Sequence, residues 1–128
     1  MKTVSEILNG LAHCIGTTKY IKHWTGAFVF TDGVDYLREA ADCHWLIDAI
    51  ASYRRKEPFQ VWELVTDKEN KTAVLTMKED SNRPVLVKQE FSYTDFPLEN
   101  IKFYVQEGGY GTSENWTPCL VLMLTSEY

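Results

Sequence analysis

The feature that most constrains this chain is a change of rhythm at Pro58. Upstream, apolar residues recur every three or four positions; downstream, they alternate every second position. Side chains three or four apart share a face of an α-helix, whereas side chains two apart share a face of a strand. Proline lacks the amide that a continuing helix needs, so Pro58 is a natural border between the two regimes. Helices first and strands afterwards predict an α+β fold, because a parallel βαβ arrangement would alternate them. The length of 128 residues with 45% hydrophobic side chains suits one core, so a single domain over 1–128 is expected.

Upstream of Pro58, Val4, Ile7, Leu8, Leu11 and Ala12 mark an amphipathic helix over Val4 to Cys14, with Thr3 or Ser5 as its cap. Lys19 to Trp24 has no clear period, Thr25-Gly26 marks a turn, and Ala27 to Phe30 is a short apolar run fit for a buried strand or an extended anchor. Thr31-Asp32-Gly33 is a helix start, because an oxygen of Thr31 or Asp32 can accept from the open first-turn amides. The helix then runs from Val34 to about Tyr53 in two stripes, Tyr36/Leu37/Ala40/Ala41 and Trp45/Leu46/Ala49/Ile50/Tyr53. At about 100° per residue the two stripes do not line up, so a kink or break is expected near Asp42.

Downstream, Phe59–Thr66, Thr72–Lys78 and Val85–Phe91 alternate with period two and are joined by polar turns, which predicts an antiparallel meander. Trp62 and Leu64, then Ala73, Leu75 and Met77, then Val85, Val87, Gln89 and Phe91 each share a face of their strand. Ile101–Val105 and Leu120–Leu124 add two strands, with Gln106–Pro118 as a long loop between them. The expected architecture is N-terminal helices packed on one face of an antiparallel sheet of about five strands, with the Trp45-bearing helix across it.

Few signals carry chemistry. His13-Cys14 and Cys43-His44 are adjacent pairs, and neighbours on a helix diverge by roughly 100°, so neither pair makes a metal site. No metal ligands and no cofactor are assigned. Three cysteines form no disulfide framework and are expected as reduced thiols. Asp48 lies within the apolar run Trp45–Ile50 with His44 four residues before it, at ion-pair spacing. It is the strongest candidate for acid–base work or ligand contact, with Tyr36 and His23 as further polar groups, against the plainer role of a structural partner for a basic group such as Arg38 or Arg54. Gln106–Ser113 holds three glycines without the strand-to-helix context of a phosphate loop, and its aromatics Tyr110 and Trp116 suit a protein contact better. No residue is assigned as catalytic.

Net charge of −5, with acidic residues spread along the chain, argues against nucleic acid, which requires a basic face. The Lys19/Lys22/His23/Trp24 cluster, with Arg54-Arg55-Lys56, is the one place such binding could start. The longest apolar run, Cys119–Leu124, is far too short to span a bilayer, and no leader-type stretch follows Met1-Lys2. A cytoplasmic protein is expected.

The chain carries Phe30-Thr31-Asp32-Gly33-Val34, Tyr36-Leu37, Trp45-Leu46-Ile47-Asp48-Ala49-Ile50-Ala51, Phe59-Gln60-Val61-Trp62, Thr94-Asp95-Phe96-Pro97-Leu98 and a terminal Ser126-Glu127-Tyr128. In this order the motifs resemble an uncharacterised bacterial family, a domain of unknown function numbered 6876, from about Gly16 to Tyr128. His44 stands where that family usually has tyrosine, and Gly108–Trp116 looks like an insertion. The resemblance implies a small bacterial or phage-related protein and brings no activity with it. Trp24, Trp62, Tyr104, Tyr110 and Trp116 cannot all be core. The leading expectation is therefore a non-catalytic interaction module, an accessory protein of a phage or mobile element, with a protein partner or a second copy of itself. The alternative is a ligand-binding protein or enzyme with a pocket between helix and sheet around Asp48.

Overall fold

The computed structural model describes residues 2–13, 20–110 (Tyr110 by its backbone only) and 114–128. In chain order the elements are α1 (Val4–Leu11), β1 (Tyr20–Lys22), β2 (Val29–Thr31), α2 (Asp32–Ala40), α3 (His44–Ser52), β3 (Phe59–Asp67), β4 (Thr72–Lys78), β5 (Val85–Phe91), β6 (Asn100–Tyr110), β7 (Thr117–Leu124) and a 3₁₀ turn (Thr125–Glu127). The fold is α+β, and one sheet holds all seven strands in the order β1-β2-β7-β6-β3-β4-β5.

Seven strands replace the expected five or so, for two reasons. The indistinct N-terminal stretches form β1 and β2, paired to each other, and β2 then joins β7 in parallel through Val29↔Val121 and Phe30↔Leu122. The rest of the sheet is antiparallel. The supposed loop after Val105 is also largely strand: β6 continues to Tyr110, and Gly108 and Gly109 pair with Cys119 and Pro118 of β7. Glycine offers no side chain to reveal a period, and the indole of Trp116 fills the vacancy. A Cβ on Gly109 would come within 2.2 Å of that ring.

The meander matches its alternation except at Val85, which a register shift between Met77 and Lys78 sets opposite Lys78 and leaves exposed. Trp62, Leu64, Ala73, Leu75, Met77 and Val87 are buried, and the register stacks Trp62 against Met77 and Met77 against Val87. Together with Phe103, Val105, Leu122 and Leu124 they share the main core with Ile7, Leu37, Leu46, Ile47 and Ile50 of the helices. On the other face Val29, Val121 and Met123 form a smaller cluster beside Tyr104, where the rings of Phe59, Tyr104 and Tyr128 meet at 5.2–5.8 Å.

The helices begin where capping chemistry dictates. Thr3 and Glu6 form a reciprocal capping box on α1, and Thr31 Oγ1 accepts from Val34 N–H at the start of α2. The break near Asp42 is real: α2 ends at Ala40, α3 begins at His44, and Asp42 takes a left-handed φ of 51°. After it the buried stripe of α3 is Leu46, Ile47, Ile50 and Ala51, so Trp45 and Ala49 lie on its flank. On α1 only Ile7 is buried, while Val4 and Leu8 are exposed. Gly10 is explained by Tyr36, whose hydroxyl would lie 2.0 Å from an added Cβ and which donates to Glu6 C=O.

Candidate functional site

Two features of the surface gather chemistry: a polar clasp centred on Asp48, and an apolar groove between α3 and the edge strand β5. They lie on adjoining faces of the same helix, because Asp48 and Ala49 are neighbours in α3.

The clasp grows from the turn between β1 and β2. His23 N–H donates to Phe28 C=O and Gly26 N–H to His23 C=O, closing a turn in which Gly26 takes a φ of 78°. This fold-back buries the His23 ring among Trp24, Phe28 and Phe30. The ring's two nitrogens are then both engaged. Thr25 N–H donates to Nδ1 at 3.2 Å, with Thr25 Oγ1 2.8 Å away. An accepting Nδ1 puts the ring proton of the neutral imidazole on Nε2, which donates it to Asp48 Oδ1 at 2.7 Å. Trp24 Nε1 donates to the same oxygen at 3.2 Å. Arg54, at the far end of α3, completes the attachment by donating to Thr25 C=O at 2.7 Å.

Asp48–His23–Thr25 is thus a chain of carboxylate, imidazole and hydroxyl, the order of parts that activates a hydroxyl nucleophile. Thr25 Oγ1, however, also accepts from Ala27 N–H at 3.3 Å, so the hydroxyl is held inside its own turn. The Asp48 side chain is 48% exposed. The arrangement fastens the β1–β2 hairpin to α3.

The partners considered for Asp48 were His44 and, in a structural role, Arg38 or Arg54; Arg38 pairs with Asp35 and Arg54 with the Thr25 carbonyl. The structure instead turns the exposed His44 ring towards Asp42, 4.0 Å away, and gives Asp48 to His23. Tyr36 clasps α1 and lies away from both features. Trp116 packs on Gly109 and is 55% exposed, and the side chain of Tyr110 falls outside the described residues, as do Cys14 and Lys19. The basic cluster is assembled only in part, through Arg54 at the hairpin; Arg55 is instead paired with Glu57. Among the described residues no group of three or more His, Cys, Asp or Glu side chains could hold a metal. Burial pushes the Cys43 thiol up to about 12, so it is protonated and unreactive in the fold.

The depression between helix and sheet lies beside Asp48, not around it, and its lining residues were not among the candidates. Trp45 and Ala49 of α3, Gln89 and Phe91 of β5, and Tyr93, Thr94 and Asp95 beyond it line a mainly apolar depression of about 500 Å³. Trp45 stands edge-on to Phe91 and Phe96, with ring centroids 5.1 and 6.4 Å apart. Tyr93 is 69% exposed. Tyr53 O–H donates to Gln89 Oε1 at 2.7 Å, holding β5 to the end of α3. The floor is stable because the following segment is anchored: Thr94 N–H donates to Lys71 C=O, Thr94 Oγ1 accepts from Phe96 N–H, and Phe96 and Leu98 are buried. The signal that could have revealed it was Trp45 at the margin of its stripe together with Phe91 at the end of an edge strand.

Fold and site together define a small α+β protein with one open sheet, a hairpin clasped to a helix, and an apolar groove along an edge strand. The chain belongs to DUF6876, a family of unknown function, whose model matches residues 5–128. No curated protein and no solved structure matches it. No helix among the described residues is long and apolar enough to cross a membrane.

Proposed function

We propose that the chain is a non-catalytic interaction module whose contact surface is the β5 edge and the groove beside it. The observation that carries this reading is the position of β5. It ends the sheet order, and among the described residues no strand pairs with its outer edge. A seven-residue edge with exposed Val85 and Leu86 presents a row of unsatisfied N–H and C=O groups. Such edges are blunted by brevity, as β1 is with three residues, by charged side chains or bulges, or by a covering strand; β5 carries Lys88 and one bulge yet keeps the regular stretch Val87–Phe91 open. An extended segment laid on β5 would satisfy those groups and drop alternate side chains beside Trp45 and Ala49, which is recognition by strand addition. The wider setting, a bacterial cytoplasm and an accessory role in a phage or mobile element, is carried by the family resemblance alone.

The test is a displayed library of extended peptides panned on the wild-type protein, with Ala49→Arg as the counter-selection because the long side chain fills the groove. Peptides with alternating apolar residues should be enriched, shift Trp45 emission and bind Ala49→Arg at least about tenfold more weakly. With the chain monomeric at the panning concentration, enrichment no better than background, or equal binding to Ala49→Arg, refutes the reading.

A second reading, a hydrolytic or ligand-binding centre at Asp48, is favoured by the carboxylate–imidazole–hydroxyl chain. It requires Thr25 to be labelled by an acylating probe in a manner lost in Asp48→Asn. An unlabelled Thr25 removes it.

A further inference from the structure

We propose that the partner strand on β5 is β5 of a second copy of this chain, antiparallel and related by a two-fold axis that runs between the two facing Gln89 residues. The proposal rests on the interaction-module reading and names its partner. Residues that face each other across an antiparallel pair point to the same side of the sheet, so a two-fold axis perpendicular to the sheet must run midway between the strands where one residue faces its own symmetry copy. Only a few centres then exist. Centring on Lys88 sets lysine against lysine, and centring on Glu90 sets glutamate against glutamate. Centring on Gln89 sets each Lys88 against Glu90 of the other copy, twice by symmetry, and each Val87 against the other copy's Phe91.

Two further features agree with this register. Lys88 and Glu90 are 62% and 75% exposed on the face away from the main core and lie only 3.8 Å apart within one chain. In the pair they would form a ring of four alternating charges. The register shift between Met77 and Lys78 bends the Val85–Leu86 end of β5 away from regular pairing, so the regular stretch is Val87–Phe91, whose centre is Gln89. On the core side the same axis brings the two grooves together, so that the exposed Tyr93 and half-buried Trp45 of each copy acquire apolar neighbours.

The experiment is sedimentation of the full chain over a concentration series, for wild type, Lys88→Glu, Glu90→Lys and the double swap, with circular dichroism confirming that each is folded. Both positions are exposed, so folding is undisturbed. The wild type should reversibly dimerise. Each single swap places like charges opposite each other twice and should weaken dimerisation at least about tenfold. The double swap restores opposite charges and should recover the wild-type constant to within about threefold. A wild type that stays monomeric at every concentration, or a dimer indifferent to the single swaps, or a double swap no better than either single, overturns the proposal. A monomer that still takes peptides in the groove would leave the interaction-module reading in place.

Discussion

Replacing Trp62 by phenylalanine tests the internal framework that holds α3 to the sheet. Trp62 is fully buried, and its indole N–H donates to Gln60 Oε1 at 2.8 Å. Gln60 is itself 2% exposed, and its amide nitrogen donates to the carbonyls of Arg55 and Glu57, 3.2 and 3.1 Å away. One buried amide therefore ties the indole to the connection between α3 and β3. Trp62→Phe leaves Gln60 Oε1 without its donor in a dry site, which costs about 1–3 kcal/mol. The smaller ring also leaves a void, worth about 1–2 kcal/mol more. A total loss of about 2–5 kcal/mol is expected, a large part of the 5–15 kcal/mol typical of a domain. Gln60→Leu in the same background removes the orphaned oxygen. The double variant should therefore be more stable than the sum of the two single losses by about 1–2 kcal/mol. Urea unfolding followed by far-ultraviolet circular dichroism measures both, with an unchanged slope confirming a stability effect. A loss below about 1 kcal/mol for Trp62→Phe, or strict additivity in the double variant, refutes the reasoning.

Three more outcomes are expected. Thr31→Val removes the cap on Val34 N–H and the bond from Thr31 Oγ1 to Glu127 Oε1 at 2.6 Å; a loss of about 1–2 kcal/mol should lower the melting temperature by roughly 3–10 °C. Asp48→Ala takes the shared acceptor from His23 and Trp24 and should cost about 1–2 kcal/mol in denaturant titration, whereas the exposed His44→Ala should change stability by less than about 0.5 kcal/mol. Cys43, with its thiol raised by burial from 9.0 to about 12, should resist alkylation at pH 8 until urea unfolds the chain, as mass mapping of its peptide would show. The raised value also sets a sign: the stabilisation is full below about pH 9 and is lost as pH climbs towards about 12.

The helices and the meander were legible because their information is local. Thr31 caps α2, and the misaligned stripes on either side of Asp42 demanded the break that its left-handed φ supplies. Alternation grouped Trp62 with Leu64 and Leu75 with Met77, and the β3–β4 register then joins the two pairs on one buried face. Asp48 stood out in the sequence as a carboxylate within an apolar run, but its partner did not. His44 is four residues away and was the local choice, whereas His23 is twenty-five away and reaches Asp48 only because the hairpin folds onto α3.

What the amino-acid order determines by itself is the kind of element each stretch becomes, since caps, breaks and periods act within a turn or two of backbone. What only the tertiary structure decides is which elements meet. The three-residue β2 is a strand because β7 lies beside it, and β6 runs through two glycines because β7 and Trp116 cover them. The open edge at β5 belongs to the same class of fact. Pairing and burial between distant segments repay the entropy of bringing them together only collectively, so no window of sequence contains them.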